Sequence, residues 1–315
     1  MVFRNFKIRD HLTTLARRIV QILSFLLINF IILEFIFSIN LVGIESFLKV
    51  LPVLNSPRNP LSEGMGIVEA IFYSIAIGDI PFFLIGVLLL ILLFTNRFFC
   101  GWICPIGSIQ DLCAAIPVKK KPMKLKTHKT LLNVKYVIII ILIILIVPLG
   151  VTAATNYAFW FDFYTQLGSL AQKPVGFFSL SEYIFVFFPK MAMDIYVSGG
   201  LGPLFSNFGG FIIFIIYLII IILSLRYPRF YCRYFCPFAA VSAAVTDYSF
   251  LKLSRNPVKC VGRSECGECE RVCPKQIRIL DEPFEFFTGK GECNLCLKCK
   301  EKCPYDAIKL KFGSF

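Results

Sequence analysis

Eight cysteines in the C-terminal part of the sequence form two groups of four with nearly the same spacing. The second group reads C-x2-C-x2-C-x3-C-P, and the first differs by three extra residues between its first two cysteines. This is the bacterial ferredoxin pattern, in which three close cysteines wrap one cubane iron–sulfur cluster and the fourth ligates the other cluster. The predicted metal ligands are Cys260, Cys266, Cys269, Cys273, Cys293, Cys296, Cys299 and Cys303.

The spacing assigns the ligands crosswise to two 4Fe–4S clusters. Cys303 is expected to join Cys260, Cys266 and Cys269, while Cys273 is expected to join Cys293, Cys296 and Cys299. Two other uses of the thiols fit less well. Zinc favours pairs of C-x2-C knuckles, and disulfides need an oxidising compartment, whereas the charge pattern below predicts a cytosolic location.

A second cysteine motif occurs twice, at a spacing of 132 residues. Phe99-Cys100-x3-Cys104-Pro105 is repeated as Tyr231-Cys232-x3-Cys236-Pro237. Cysteines at i and i+4 share one face of a helix, and the following proline is expected to break that helix or to open a new one. The repeat predicts that all four cysteines meet at the cytosolic membrane edge. They would ligate a third iron–sulfur centre, form a redox-active thiol pair, or simply pack. The thirteenth cysteine, Cys113, is expected in the core.

The composition indicates a membrane protein with a small soluble part. Of the 315 residues, 57% are hydrophobic and 34 are phenylalanine, and the mean hydropathy is +0.73. Charged residues make up 17%, below the roughly 25% of a soluble domain. The net charge of +13 is interpreted as a topology signal, because positive residues collect on the cytosolic side.

Apolar runs predict four transmembrane helices. They are expected at about 19–44, 81–94, 135–150 and 208–225, with shorter apolar pieces at 67–78 and 183–188. Seven lysines between residues 117 and 135 place that loop in the cytosol. Arg17 and Arg18 before the first run are interpreted as a cytosolic anchor and not as a twin-arginine signal, since the run is too long and no A-x-A-like site follows. Both termini are therefore predicted inside.

This organisation predicts three parts. A cytosolic N-terminus (1–18) precedes a membrane domain (19–254), and a cytosolic ferredoxin domain (255–315) follows. Both halves of the membrane domain run outward and return to a cysteine motif, so they are expected to be parallel repeats about an axis along the membrane normal. The fold class is an α-helical membrane protein with a C-terminal two-cluster ferredoxin domain.

The sequence argues against two other classes. Its two histidines, His11 and His128, lie in basic polar segments, and C-x-x-C-H is absent. Haem is therefore not expected, either bis-histidine or covalent. No stretch interleaves basic residues with exposed aromatics, so a nucleic-acid partner is not expected.

The motif Cys100-Gly101-Trp102-Ile103-Cys104-Pro105-Ile106-Gly107, its second copy at 232–237, the four predicted helices and the doubled cluster motif together resemble the NapH-like membrane ferredoxins. Relatives of that family include NosR and the copper-handling CcoG. The resemblance covers residues from about 19 to 310. It implies an electron carrier of the prokaryotic cytoplasmic membrane that works with quinols and a separate redox complex. The chain departs from the family pattern in the long spacing after Cys260.

The predicted function is a membrane-anchored iron–sulfur electron-transfer subunit, similar to a quinol dehydrogenase, between the quinone pool and a partner complex. A copper-reducing assembly factor and a scaffold subunit are the alternatives. Quinol oxidation releases two electrons and two protons, so a proton acceptor near the membrane is needed. The acidic candidates are Glu34, Glu69, Asp79, Asp162 and Glu182. Glu34 has either this role or a structural hydrogen bond to a neighbouring helix.

Overall fold

The computed structural model of the chain describes residues 12–28, 66–200 and 208–313. Helices make up most of these ranges. In chain order the elements are α1 (Leu12–Ile28), α2 (Ile67–Ala76), α3 (Phe82–Thr95), α4 (Phe98–Trp102), α5 (Pro105–Cys113), α6 (Leu125–Thr155), α7 (Tyr157–Leu167), α8 (Ser169–Gln172), a 3-10 turn (Gly176–Phe178), α9 (Leu180–Glu182), a π-helical turn (Tyr183–Phe187), α10 (Phe188–Ser198), α11 (Phe208–Arg226), α12 (Phe230–Tyr234), α13 (Pro237–Thr246), β1 (Leu251–Arg255), α14 (Gly262–Glu265), α15 (Glu268–Arg271), a 3-10 turn (Ile279–Asp281), α16 (Lys298–Glu301) and β2 (Ile308–Phe312).

The chain divides into two compact units that alternate along the sequence. The first unit comprises Met1–Phe25, Leu89–Ser108 and Ser242–Phe315, and the second comprises Leu26–Leu88 and Ile109–Val241. The first unit therefore contains the ferredoxin-type cysteines together with the first Cys-x3-Cys-Pro motif. The predicted boundary between membrane and ferredoxin domains near residue 254 stays a prediction.

Two helices of the second unit are long and apolar enough to cross a membrane. They are Leu125–Thr155 and Gly209–Arg226, and only 22% and 17% of their apolar windows are buried. Ile144 on α6 and Ile222 on α11 are 64% and 56% exposed. Exposed apolar surface on this scale marks an interaction with lipid or protein.

The prediction of four transmembrane helices is not confirmed. The return helix expected at 81–94 is α3, whose 14 residues span about 21 Å at 1.5 Å per residue, short of the roughly 30 Å hydrocarbon core. Most of the first predicted span, 19–44, lies outside the described residues, and α1 begins earlier, at Leu12. The third span begins at Leu125 and not at Lys135, because good helix formers among the lysines extend α6.

Packing of α2 against α6 organises one end of the second unit. A Cβ atom on Gly150 would lie 2.1 Å from the Ile75 carbonyl oxygen, so only glycine permits this helix crossing. The indole nitrogen of Trp160 donates a hydrogen bond to the Ala76 carbonyl oxygen at 3.0 Å. The 67–78 segment, predicted as too short to span, is indeed a short helix, α2, followed by a turn.

The ferredoxin-like part of the first unit is closed by a two-stranded antiparallel sheet. Strands β1 and β2 pair from Leu251–Phe312 to Arg255–Ile308. Inward side chains of both strands, Leu253 and Ile308, are 1% exposed and pack with Phe287, Leu295 and three of the cysteines. The sheet therefore holds the two cysteine-rich segments on one small core.

Candidate iron–sulfur sites

Four cysteines from distant positions line one cavity in the first unit. They are Cys260, Cys266, Cys269 and Cys303. This is the set that the sequence assigns to the first cluster, with Cys303 contributed by the other motif. Short helices α14 and α15 place Cys266 and Cys269 around the cavity, and Gly267 between them has a φ of 63° that favours glycine. The structure thus brings together a four-thiol donor set of the type that holds a 4Fe–4S cluster.

Hydrogen bonds from the protein reach the sulfurs of this set. The Arg255 guanidinium donates to Cys260 Sγ at 3.7 Å and to the Glu282 carbonyl oxygen at 3.1 Å. The backbone N–H of Ala307 donates to Cys303 Sγ at 3.3 Å. Burial, with a smaller effect of Glu270, raises the pKa of the Cys269 thiol to about 11. A bound iron core would supply the positive charge that keeps such buried thiols ionised.

The second cysteine set lies deeper in the same unit. Cys293, Cys296 and Cys299 are each at most 9% exposed. Burial, with smaller effects of Cys296 and Cys273, raises the pKa of the Cys293 thiol to about 12. Burial also raises the pKa of Cys299, which interacts with Cys273 as well. Cys273 is therefore within electrostatic range of the second set, which is consistent with the crosswise assignment.

The backbone of the second set winds tightly around its cysteines. Leu295 and Leu297, each beside a cysteine, have φ values of 47° and 57°. Residues other than glycine adopt this left-handed backbone conformation only at a cost of about 1–3 kcal/mol. Among the described residues, no three His, Cys, Asp or Glu side chains lie close enough to bind a single metal ion. The four cysteines of the first set line a cavity, an arrangement suited to a polynuclear cluster.

The two Cys-x3-Cys-Pro motifs have the same local structure, but it differs from the predicted one. Cys100 lies in α4 and Cys232 lies in α12, whereas Cys104 and Cys236 follow the ends of these helices. The expectation that each pair shares one helix face is therefore wrong. The reason is the next residue, since a proline disfavours helical backbone in the residue before it and begins a new helix itself.

Backbone hydrogen bonds repeat between the two copies. The N–H of Cys104 donates to the Phe99 carbonyl oxygen at 2.8 Å, and the N–H of Cys236 donates to the Tyr231 carbonyl oxygen at 3.1 Å. In each copy the second cysteine's carbonyl oxygen then accepts from the N–H four residues on. This supports the internal repeat. Cys100 and Cys104 belong to the first unit and Cys232 and Cys236 to the second, so the meeting of all four thiols stays a prediction.

Polar side chains hold the second motif within its unit. Gln110 donates to Cys232 Sγ at 3.0 Å, and the Arg229 guanidinium makes two hydrogen bonds to the Asp111 carboxylate, at 2.9 and 2.7 Å. Both ion-pair side chains are 1% exposed. Cys236 is buried, whereas Cys113, expected in the core, is only partly buried at the end of α5.

The first motif contacts the second cysteine set directly within the first unit. The indole nitrogen of Trp102 donates to the Leu295 carbonyl oxygen at 2.9 Å. A Cβ atom on Gly101 would lie 2.2 Å from the Asn294 carbonyl oxygen. Arg97 donates to the Gly291 carbonyl oxygen and to Glu292. We name residues 97–102 the platform and residues 291–296 the cluster loop.

Helix α1 also contacts this region. Gln21 donates to the Gly101 carbonyl oxygen at 3.1 Å, and Thr14 donates to the Glu301 carboxylate. These contacts, like those of Arg97 and Trp102, were not predicted. One signal was available in the sequence, because Arg97 and Arg229 occupy equivalent positions just before the two repeated motifs.

An apolar cavity of about 240 Å³ lies in the second unit, between residues of α6 and α11. Aromatic residues from the 3-10 turn and α12 complete its wall. The lining residues are Val134, Ile138, Phe177, Phe178, Ile213, Ile216, Tyr217, Ile220, Tyr231 and Phe235. The hydroxyl groups of Tyr217 and Tyr231 donate to the carbonyl oxygens of Phe177 and Phe178, at 2.8 and 2.9 Å.

Two of the acidic candidates lie close to this wall. Glu182 accepts a hydrogen bond from Lys173 at 2.8 Å and interacts electrostatically with Tyr217. Glu69, 5% exposed, lies with Glu182 around Gly176, the first residue of the 3-10 turn. Asp79 and Asp162 are exposed, and Glu34 lies outside the described residues. His128, predicted in a polar segment, is buried on α6, where its Nδ1 lies 2.7 Å from the Tyr234 hydroxyl.

Comparison with known proteins connects these features to iron–sulfur proteins. A family model described as a 4Fe-4S binding domain matches residues 79–124 and 209–256, the regions of the two Cys-x3-Cys-Pro motifs. The putative electron transport protein YccM of Escherichia coli is 27% identical over 74% of this chain and 57% of its own length. The regulatory protein NosR of Pseudomonas aeruginosa is 26% identical over 68% of this chain and 25% of its own.

A shorter relative is similar to part of the chain only. A ferredoxin of Methanothermococcus thermolithotrophicus is 34% identical over 17% of this chain and 87% of its own length. No solved structure matches the chain.

Proposed function

Because the chain belongs to the NosR- and NapH-like family of iron–sulfur electron-transport proteins, we propose that it is a membrane-anchored subunit that passes electrons between quinol and a partner redox complex. Two 4Fe–4S clusters, when bound, would supply one-electron carriers. The single observation that carries the proposal is the crosswise grouping of cysteines. Cys303 lines one cavity together with the cysteines of the first motif. Cys273 interacts electrostatically with Cys299 of the second motif.

The apolar cavity of the second unit is the best candidate for the quinol. Its wall is aromatic and aliphatic, as expected of a site for an apolar ring with a hydrophobic chain. Tyr231 and Phe235 of this wall lie on either side of Cys232 in the sequence and belong to the second Cys-x3-Cys-Pro segment. An electron donor in this cavity would therefore lie beside a thiol-bearing segment of the same unit.

Quinol oxidation releases two protons with its two electrons, and side chains near the cavity can accept them. Glu182 is 16% exposed at its side chain and hydrogen-bonded to Lys173. Glu69 lies on the other side of Gly176. A carboxylate that passes a proton to a second acidic group can carry it away from the cavity. We assign Glu182 as the first acceptor and Glu69 as the second.

The proposal is tested by reducing the clusters with quinol. Protein purified without oxygen would be mixed with menaquinol, and cluster reduction followed by electron paramagnetic resonance. Appearance of the reduced-cluster signal supports a quinol site on this chain. If dithionite reduces the clusters and quinol does not, the quinol part of the proposal fails. Reduction of Cu(II) by the dithionite-reduced protein would then favour the copper-reducing alternative.

A further inference from the structure

The buried cation Arg97 lies where its charge can affect the reduction potential of a cluster in the second cysteine set. Its side chain is 1% exposed, and one guanidinium nitrogen donates to the Gly291 carbonyl oxygen at 2.9 Å and to the Glu292 carboxylate at 3.2 Å. Burying a charge is costly and is repaid only by good partners. Both partners belong to the cluster loop, and Glu292 directly precedes the ligand Cys293. The guanidinium is therefore fixed beside this ligand.

A second buried cation lies close to Glu292. The ammonium of Lys275, 3% exposed as a residue, lies 3.9 Å from the same carboxylate oxygen of Glu292. Lys275 follows the ligand Cys273 by two residues. Two buried cations thus lie at one carboxylate on this side of the second cysteine set, and each carries a fixed positive charge. Low exposure reduces the solvent screening of these charges.

The platform also fixes the distance between this charge and the cluster loop. Trp102 donates to Leu295, and Gly101 touches the Asn294 carbonyl oxygen. The Gly291 carbonyl oxygen accepts a second hydrogen bond from the Thr246 hydroxyl at 3.2 Å. Contacts at both ends of the loop hold Arg97 against it.

The repeat-equivalent arginine has a different environment. Arg229 makes a two-point ion pair with Asp111. Arg97 shares its carboxylate with Lys275. The repeat-equivalent arginines therefore differ in these ion pairs, because a second cation lies at the carboxylate that Arg97 contacts.

We propose that Arg97, together with Lys275, raises the reduction potential of the cluster held by Cys273, Cys293, Cys296 and Cys299. Addition of one electron makes this centre one unit more negative, and a fixed cation stabilises the product more than the reactant. Arg97 is a positioning residue, because it acts through charge and through the cluster loop. The inference rests on the proposed pair of clusters and does not depend on the quinol site.

The test removes one charge at a time and measures the reduction potential of each cluster. Redox titration with dithionite and mediators, followed by electron paramagnetic resonance, would compare Arg97→Gln, Lys275→Gln and Glu292→Gln. The first two are expected to shift one cluster to lower potential, and Glu292→Gln is expected to shift the same cluster to higher potential. The other cluster should not move. Arg278→Gln, which removes an exposed charge, is the matched control and should shift neither.

Iron and sulfide content separates a change in potential from loss of a cluster. If Arg97→Gln loses the cluster, Lys275→Gln carries the test, because it removes a charge and leaves the Arg97 contacts in place. Arg97→Lys, which keeps the charge, should leave the potential close to that of the wild type. Unchanged potentials in fully loaded Lys275→Gln and Glu292→Gln would overturn the inference. Menaquinol is absent from the titration, so failure of the quinol proposal would leave this result unaffected.

Discussion

Gly101 and Asn294 lie so close together that a Cβ atom on Gly101 would be 2.2 Å from the Asn294 carbonyl oxygen. This contact joins the platform to the cluster loop across almost two hundred residues of sequence. It also means that a residue of the first Cys-x3-Cys-Pro motif helps to position the second cysteine set.

Gly101→Ala is expected to displace the cluster loop, because a carbonyl oxygen of the backbone cannot move aside as a flexible side chain can. Overpacking of this kind costs about 1–3 kcal/mol. The second cluster should be lost or become labile, as measured by iron and acid-labile sulfide. Gly86→Ala is the matched control, since nothing lies within 4 Å of its Cβ position. Equal cluster content in the two variants would contradict the expectation.

Cys303→Ala and Cys273→Ala should each remove a different cluster. The crosswise assignment places Cys303 with the first cysteine motif and Cys273 with the second. Cluster-specific electron paramagnetic resonance signals would show the loss, and Cys113→Ala should keep both clusters. If Cys303→Ala instead removed the cluster of Cys293, Cys296 and Cys299, the ligand assignment would be wrong.

Arg229→Gln should destabilise the second unit strongly. It leaves the buried Asp111 carboxylate without its guanidinium, and breaking such a pair typically costs about 3–5 kcal/mol. Thermal unfolding in detergent measures the effect. Arg271→Gln, which breaks the exposed pair with Glu268, should cost at most about 1 kcal/mol. Similar melting temperatures for both variants would argue against a structural role for the Arg229–Asp111 pair.

Glu182→Gln should slow cluster reduction by menaquinol and leave reduction by dithionite unchanged. The amide cannot accept the proton that quinol oxidation releases, and loss of a positioned base typically costs about 10²–10⁴-fold in rate. Asp162→Asn tests an exposed carboxylate on the neighbouring helix α7 and should have little effect. Equal menaquinol rates in wild type and Glu182→Gln would remove Glu182 from the proton path.

Acid should weaken the ion pairs that Arg263 makes with Glu270 and Asp281, beside the first cysteine set. Burial raises the pKa of Glu270, but the Arg263 guanidinium, through hydrogen bonds at 2.9 Å, outweighs it and holds this pKa below its usual range. Arg263 likewise lowers the pKa of Asp281. A carboxyl group with a lowered pKa contributes stability above its unfolded pKa, and that stability is lost as the pH falls through the folded pKa.

The contribution of these ion pairs can be measured by following the absorbance of the cluster during acidification. Wild type should keep the first cluster to a lower pH than Arg263→Gln, because Arg263 contributes most to the lowered pKa values of both carboxyl groups. Near neutral pH the two proteins should differ most, and the difference should vanish once both carboxyl groups are protonated. A constant difference across that pH range would show that Arg263 acts by packing alone.

Local spacing predicted much of the candidate site. Cys260, Cys266 and Cys269 are close in the sequence, and the ferredoxin pattern assigns them the distant Cys303. A new helix does begin at Pro105, as the sequence predicts, but helical periodicity did not predict that α4 ends at Trp102, before Cys104. Arg97 and Glu292 could not be paired from one sequence, since no local rule connects residues so far apart. The length of α3, 14 residues, shows why an apolar run alone does not establish a transmembrane helix.

The interleaving of the first unit has a consequence for the synthesis of the protein. Its N-terminal helix, its platform and its cluster loop leave the ribosome at widely separated times, and residues 109–241 are made in between. The platform therefore cannot make the contacts of Gly101 and Arg97 with the cluster loop until the last cysteines have been synthesised. Contacts between segments so distant form late in folding. Iron delivery to the second cysteine set would then report that the intervening residues have already been synthesised, which makes cluster loading a late step of biogenesis.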